Sequence, residues 1–559
     1  MVYAVAAPIS LQAQVTRARA CDGLTITAIA VNAERPPFAG SARKWQTVAR
    51  ALGLHHATTR DEVVRAYLFV KEGDVCSNIR LAESERVLRG LPFLASATVR
   101  ARTDNAGGVL VEIQTTDEIP VLVTGSLRRG VPSALALGNE NVGGYGLRVV
   151  AGGEHGDVYR SAAHLGATES ALFGEPIVGR VEGARDPLGA HLELELSHQL
   201  LSDVQHGAWH ANFRNGDDFP LIHRPTGDDE AIEVREQRWS VSGILRSDFG
   251  STVALWGPVA LGTRLSPVSR IIVVSDSGAI VTNDSALVAR LTPFHATRFG
   301  GLLGVRRVHF VTRTGLDALF ASQDVMTGWQ LGGMVAPGMT SNGGRDMLIA
   351  HSMYLGATAS NMVFIGDAEA EARRDFTTGM WQSTIGNARV AGYYTPSSGV
   401  LIDVQDNFSS LGHARLPTQL SLGDLIGGPR GYVGSAIAGA RRNVTRAEVR
   451  WAGPAAIRRA DVGVALFADV ARIWAGDVPY GVSASRQSVG FSLLAAYPTK
   501  AKRLYRLDFA VPIQRDHGRG IEVRFTNSNP TVGISIEPPD VTQARLAPIP
   551  SSLFAWPGR

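Results

Sequence analysis

The sequence predicts a mainly β protein: a transmembrane antiparallel β-barrel of about 16 strands, preceded by one small α+β domain. Three observations predict it. From about residue 121 to 530 no long helical pattern occurs, and short segments alternate apolar and polar residues at period two. Gly, Asn, Asp, Ser and Pro clusters separate those segments, as turns require. The region also runs about 410 residues without a break, whereas single soluble cores stop growing near 250–300 residues. Sixteen membrane strands of about 9–11 residues each, with turns and loops, use that length, their Arg and Glu facing a wet lumen and their apolar residues facing lipid. A soluble all-β assembly is the rival reading.

Composition narrows the function classes. Of 559 residues 45% are hydrophobic and 19% charged, with a net charge of +4. That balance, without a clustered basic stripe, argues against a nucleic-acid partner. No window reaches the roughly 18 uninterrupted apolar residues of a spanning helix, which leaves barrels open because they hide apolarity in alternation.

The elements follow in order. MVYAVAAPISLQAQ opens the chain with a short apolar run and a small-residue end; residues 1–13 are read as a truncated signal-peptide remnant cleaved after Ala13, an ordinary first strand being the alternative. Arg19 and the polar stretch before Cys21 argue against a lipid anchor. Cys21 and Cys76 are the two cysteines, and in an exported chain a pair suggests one disulfide; two unpaired buried thiols are the other possibility. Within residues 22–120, DGLTITAIAVNAE (22–34) reads as a strand. TTRDEVV (58–64) reads as a helix start with Thr59 and Glu62 as a capping box, and a second helix spans about 79–91 on Leu81, Leu88 and Leu91. ATVRAR (97–102) and VLVEIQT (109–115) are strands either side of a DNAGG turn. The order is β-α-α-β-β.

In the long region, HLELELSH (191–198) sets Leu192, Leu194 and Leu196 on one face and Glu193 and Glu195 on the other. GIEVRFT (520–526) is read as the closing strand and residues 531–559 as a Pro-containing tail; the alternative gives LFAW (553–556) a part in the closure. Pro530, Pro538 and Pro539 oppose a continuous strand there.

Catalytic signatures are missing: no His-Glu-x-x-His, Gly-x-Ser-x-Gly or Cys-x-x-Cys occurs. The chain reads as a non-enzyme without cofactor or metal. His55-His56 and His206/His210 lack an evident third ligand and read as surface or lumen histidines. Asp217-Asp218 and Asp228-Asp229-Glu230 read as solvated loop charge.

One stretch stands apart. IGGPRGYVGS (426–435) sets an arginine between glycines, a proline and an aromatic. A phosphate cradle would need a following Lys-Ser/Thr between strand and helix, which it lacks. VVRAYLFVKEGDVCSNIRLAESERVLRGLPFLASATVRARTDNAGGVLVEIQTTDE (63–118) resembles a POTRA domain, the periplasmic module of the BamA/TamA family of outer-membrane barrels (bacterial surface antigen type). GNENVGGYGLRVV (138–150) resembles that family's entry into the first barrel strand. GGPRGY (427–432) resembles the tip of its sixth extracellular loop, with Pro429 where Val is usual. VTRAEVRW (444–451), LFADVARIW (466–474) and RLDFAVP (506–512) resemble strands that follow. The resemblance implies that Gly428, Arg430, Gly431 and Tyr432 fold into the lumen, where Arg430 pairs with Asp469, beside Phe467 and Glu448. It implies an outer-membrane location in a Gram-negative-type bacterium, with the POTRA domain in the periplasm. It also implies outer-membrane lipid, unfolded polypeptide clients and periplasmic accessory proteins as partners. The activity implied is insertion, assembly or translocation of polypeptides; a dedicated secretion pore and a passive structural barrel are the alternatives.

Overall fold

The structure is a computed structural model that describes residues 21–34, 57–104, 107–128, 131–154, 162–186, 188–275, 278–290, 293–341, 343–414, 418–423, 427–457, 460–514, 520–528 and 537–546. Residues 1–13, His55-His56 and LFAW (553–556) lie outside them.

The N-terminal unit is a three-stranded sheet, β1 (Ile26–Glu34), β2 (Leu94–Thr103) and β3 (Val109–Asp117), covered by helices α1 (Asp61–Ala66) and α2 (Asn78–Gly90). β3 is central, parallel to β1 and antiparallel to β2. Val109, Val111 and Ile113 point inward at every second position of β3 and meet Val63, Val64, Leu81 and Leu88 of the helices. Cys21 and Cys76 form a buried disulfide across this core. Thr59 does not cap α1 as the sequence suggested. Its N–H and hydroxyl both donate to Asp117, at 2.8 and 2.7 Å, and the N-terminal position falls to Arg60, without a side-chain cap. Asp117 at the end of β3 takes the hydroxyl proton and the Asn141 amide donates to the hydroxyl oxygen, so both capacities of that group are engaged away from the helix terminus. Burial raises the Asp117 carboxyl to about 6.

From Val121 onward the chain forms a closed antiparallel barrel. Among the described residues twenty strands complete the ring, from Val121–Arg128 to Glu522–Ser528, with two short ones, Leu221–Ile222 and Gly278–Thr282, tucked beside longer neighbours. The expected count of about 16 is therefore too low. The N-terminal strands are short, Leu147–Glu154 and Ala162–Glu169 having 8 residues each, and some hairpins turn on two residues, as at Ser360-Asn361 between neighbouring strands. Tight hairpin turns leave more of the same length to strands. GNENVGGYGLRVV is also displaced from its expected place: it is the end of the second barrel strand (Val131–Val142), a glycine turn and the third strand.

Alternation sorts the side chains as a membrane demands. Leu192, Leu194 and Leu196 are exposed outside, while Glu193 and Glu195 turn inward to Arg214 and His210. Exposed apolar residues continue around the ring through Trp256, Phe299, Leu331, Leu355, Phe364, Val404, Leu466 and Phe491. A water-soluble protein does not expose an apolar belt of this extent; a lipid-facing barrel does.

The N-terminal unit is docked on one end of the barrel. Arg89 forks onto Asp324 at 2.9 and 3.1 Å. Asn141 donates to the Thr59 hydroxyl at 2.8 Å, and Arg86 lies over the Phe310 ring, 3.9 Å from its centroid. Lys502, in a hairpin turn at this end, donates its ammonium to the carbonyls of Arg89 and Leu91, and its backbone N–H to Glu118; burial pulls its pKa down to about 8. The chain closes through Glu522–Ser528 against Val121–Arg128, but these strands share only two ladder positions among the described residues, Arg524 opposite Ser126 and Phe525 opposite Gly125.

Candidate functional site: an arginine loop in the barrel lumen

The connection after the Val400–Gly412 strand does not stay outside the barrel. Leu420–Ser421 pairs with Ala438–Gly439 in a two-stranded clasp, and the tip between them reaches the inner wall. Asp469 lies five residues below the strand end at Trp474, so the tip descends about 17 Å along that wall.

The bend depends on Gly428. A Cβ there would sit 2.0 Å from the Leu422 carbonyl oxygen, and the Gly428 N–H instead donates to the Gly423 carbonyl at 2.8 Å. Gly431 takes φ +87° against Ala510. Arg446 fixes the loop from the wall by donating to the Gly428 carbonyl at 2.7 Å, and the Tyr432 hydroxyl donates to the Gln487 carbonyl at 2.7 Å.

Arg430 stands between those anchors. Its Nε and Nη2 fork onto Asp469 at 2.9 and 2.6 Å, and its backbone N–H adds a third bond to the same carboxylate at 2.9 Å. Nη1 donates to Glu448 at 2.9 Å. The guanidinium carbon lies 3.6 Å from the centroid of the Phe467 ring, a cation–π contact. Arg430 is 8% exposed, Glu448 5% and Asp469 0%, so the group is withdrawn from solvent.

Strand geometry explains why these residues meet. Phe467 and Asp469 are two apart on Ala460–Trp474, hence on the same, lumenal face. Glu448 is directly opposite Phe467 in the next strand, and Gly490 opposite it on the other side. A Cβ on Gly490 would lie 2.4 Å from the Phe467 ring, so that glycine makes room for the aromatic plate beneath Arg430.

The structure brings Gly428, Arg430, Gly431, Tyr432, Glu448, Phe467 and Asp469 into one cluster, and Cys21 with Cys76 into a separate bond. Sequence reasoning missed Arg446, Arg506, Gln487 and Gly490. Arg506 donates to Glu448 at 2.6 and 3.1 Å, and Arg450 donates to it at 3.1 Å. Glu448 is thus held by three arginines. Such a network has fixed donors and acceptors and no nucleophile poised beside a base; what it can do is hold a loop. His210 takes a different role from a metal pair, lying 3.5 Å from Glu195 on the lumenal face.

Comparison with known proteins adds a likeness of shape. No protein-family model matches the sequence, and no curated protein matches it. Among solved structures the chain is similar to BamA from Haemophilus ducreyi lacking POTRA domains 1–3, at 12% identity and TM-score 0.38 over 90% of this chain and 84% of that one. It is also similar to CdiB from Escherichia coli, at 12% identity and TM-score 0.43 over 90% and 76%, and to CdiB from Acinetobacter baumannii, at 11% identity and TM-score 0.34 over 90% and 74%.

Proposed function

We propose that the chain is a non-catalytic outer-membrane barrel of a Gram-negative-type bacterium that assists insertion, assembly or translocation of polypeptides. The N-terminal unit acts as a POTRA domain in the periplasm, taking an extended client on the outer edge of β1 or β2 by strand addition. The Arg430 loop enters from the outer face as a latch that plugs the lumen. Outer-membrane lipid surrounds the belt, and periplasmic accessory proteins meet the N-terminal unit.

The observation that carries this reading is a contrast within one wall. Among the described residues the first and last strands meet at two ladder positions, whereas the latch a few strands away is tied by four hydrogen bonds from Arg430 alone. A weak seam beside a strong latch suits a barrel that opens sideways while its lumen stays shut. Client folding supplies the energy.

Depletion followed by a census of outer-membrane and secreted proteins tests it. Broad loss of outer-membrane proteins is the expected result of an assembly role. Loss of a single exported protein assigns a dedicated secretion pore, and an unchanged census overturns the polypeptide reading in favour of a passive barrel.

A further inference from the structure

The C-terminal segment does not trail away from the barrel. The last strand ends at Ser528, which pairs with Leu504 at the end of the barrel that carries the N-terminal unit. Residues 537–546 nevertheless lie inside the lumen, against strands far around the ring. Asp540 accepts a bidentate pair from Arg442, at 2.6 and 2.9 Å, near the opposite end of the barrel. The Leu546 N–H donates to Glu371 at 2.9 Å, its carbonyl accepts from Thr263 at 3.0 Å, and the Arg545 carbonyl accepts from Arg238. Arg238 and Arg442 stand on strands eight steps apart in the twenty-strand ring, so the segment bridges the lumen rather than lining one wall.

The seat is built for it. Arg442 is fully buried, Val541 packs among Ile385, Leu411 and Leu420, and Leu546 packs among Ile232, Val234, Leu265 and Phe294. Within the segment Arg545 clasps Glu537 at 2.7 and 2.9 Å, closing the helical turn Pro539–Ala544 into a compact piece. The segment also holds the arginine loop. Asp540 accepts from the Ser421 N–H at 3.1 Å, and Pro538 occupies the space beside Gly427, where an added Cβ would sit 2.8 Å from its ring and 2.7 Å from Arg442.

We propose that the lumen contains a peptide-binding site filled in cis by residues 537–546, a second plug separable from the Arg430 loop. The ligand it takes is a short helical turn with a carboxylate for Arg442, an apolar residue next to it, and an exposed backbone end for Glu371 and Thr263. Leaving the seat clears the part of the lumen that the segment bridges between Arg238 and Arg442 and removes the brace on the loop at Ser421 and Gly427. This inference is independent of which polypeptide the barrel handles.

Single-channel recording in planar bilayers tests it with the purified full chain, a version stopped after Ser528, and a synthetic peptide of residues 531–552. Heat-modifiable mobility on gels checks that each barrel is closed. The stopped chain is expected to conduct at least threefold more than the full chain. The peptide should return it to the full-chain level, and the same peptide carrying Asp540→Arg should not. Equal conductance of the two chains, or a raised conductance that the peptide leaves unchanged, overturns the proposal. If the stopped chain does not close, full-length Asp540→Arg and the swapped pair Arg442→Asp/Asp540→Arg replace it. The single variant is then expected to conduct more than the swapped pair, and equal currents overturn the proposal.

Discussion

Two stretches of the same barrel wall are built in opposite ways. At the seam, Glu522–Ser528 and Val121–Arg128 are short strands that meet, among the described residues, at two ladder positions. Across the ring, Asp229–Phe249, Thr252–Ser275 and Phe294–Thr314 have 21, 24 and 21 residues and pair along most of their length. The long wall is also cross-braced inside: Arg298 and Arg373 both bind Asp346, at 2.7 and 3.0 Å, with all three side chains fully buried. Backbone pairing is therefore concentrated away from the seam. Every backbone group facing lipid needs a partner, so a thinly paired seam is the place where strands exchange partners at least cost.

The largest effect should come from abolishing that contrast. A disulfide between Ser126→Cys and Arg524→Cys makes the seam as fixed as the rest of the ring. Complementation of a depleted strain is expected to fail under oxidising conditions and recover with reductant. A control bridge between Trp451→Cys and Val464→Cys, paired in an interior ladder, should leave growth unchanged. Full activity with the seam locked would remove lateral opening from the account.

Next comes the latch. Arg430→Ala leaves Asp469 buried without its main partner, which costs on the order of 3–5 kcal/mol for an interior ion pair. It should lower the temperature at which heat-modifiable mobility is lost. Arg430→Lys keeps the charge but loses the fork, with an expected cost of roughly 1.5–3 kcal/mol. Exchanging the charges of residues 430 and 469 should recover only part of the loss, because the Arg430 backbone N–H also donates to Asp469. Full recovery would mean that the backbone bond contributes nothing.

The third effect is confined to the N-terminal unit. Cys21→Ser with Cys76→Ser removes a bridge between residues 55 apart in sequence, worth typically 2–4 kcal/mol. Limited proteolysis within residues 57–117 should accelerate while barrel mobility on gels stays as before.

The smallest effect is a pH slope. The Asp117 carboxyl is raised to about 6 by burial, so between about pH 4 and 6 the folded state holds a proton that the unfolded chain releases. Stability of the N-terminal unit therefore falls as pH rises through that window. Asp117→Asn should flatten the slope, as read by denaturant midpoints at pH 4 and pH 7. An unchanged slope would place the titration elsewhere.

Much of this was legible in the residues, for physical reasons that also explain what was not. Strand alternation is a local signal, and Leu192, Leu194 and Leu196 declare the lipid face without any tertiary information. Strand number is not local: it depends on where each hairpin turns, and a two-residue turn such as Ser360-Asn361 carries little composition bias. Arg430 stood out because an arginine flanked by glycines and a proline is unusual in a turn. Arg446, Arg506 and Gln487 did not, since every lumenal strand offers polar residues at alternate positions and only the register decides which of them meet. The tail was the least legible. Its prolines exclude a strand, but nothing in PPDVTQAR states that Arg442, nearly a hundred residues earlier, is its seat.

The claim on which the account rests is that the arginine loop is held inside the barrel by Asp469 and Glu448. Val433→Cys places a thiol beside the loop tip, and a 5 kDa maleimide–polyethylene glycol applied to intact cells reports its access by mass. With the latch intact the thiol is predicted to stay unlabelled, and adding Asp469→Asn with Glu448→Gln is predicted to expose it. Complete labelling while all three latch residues are in place would contradict the account.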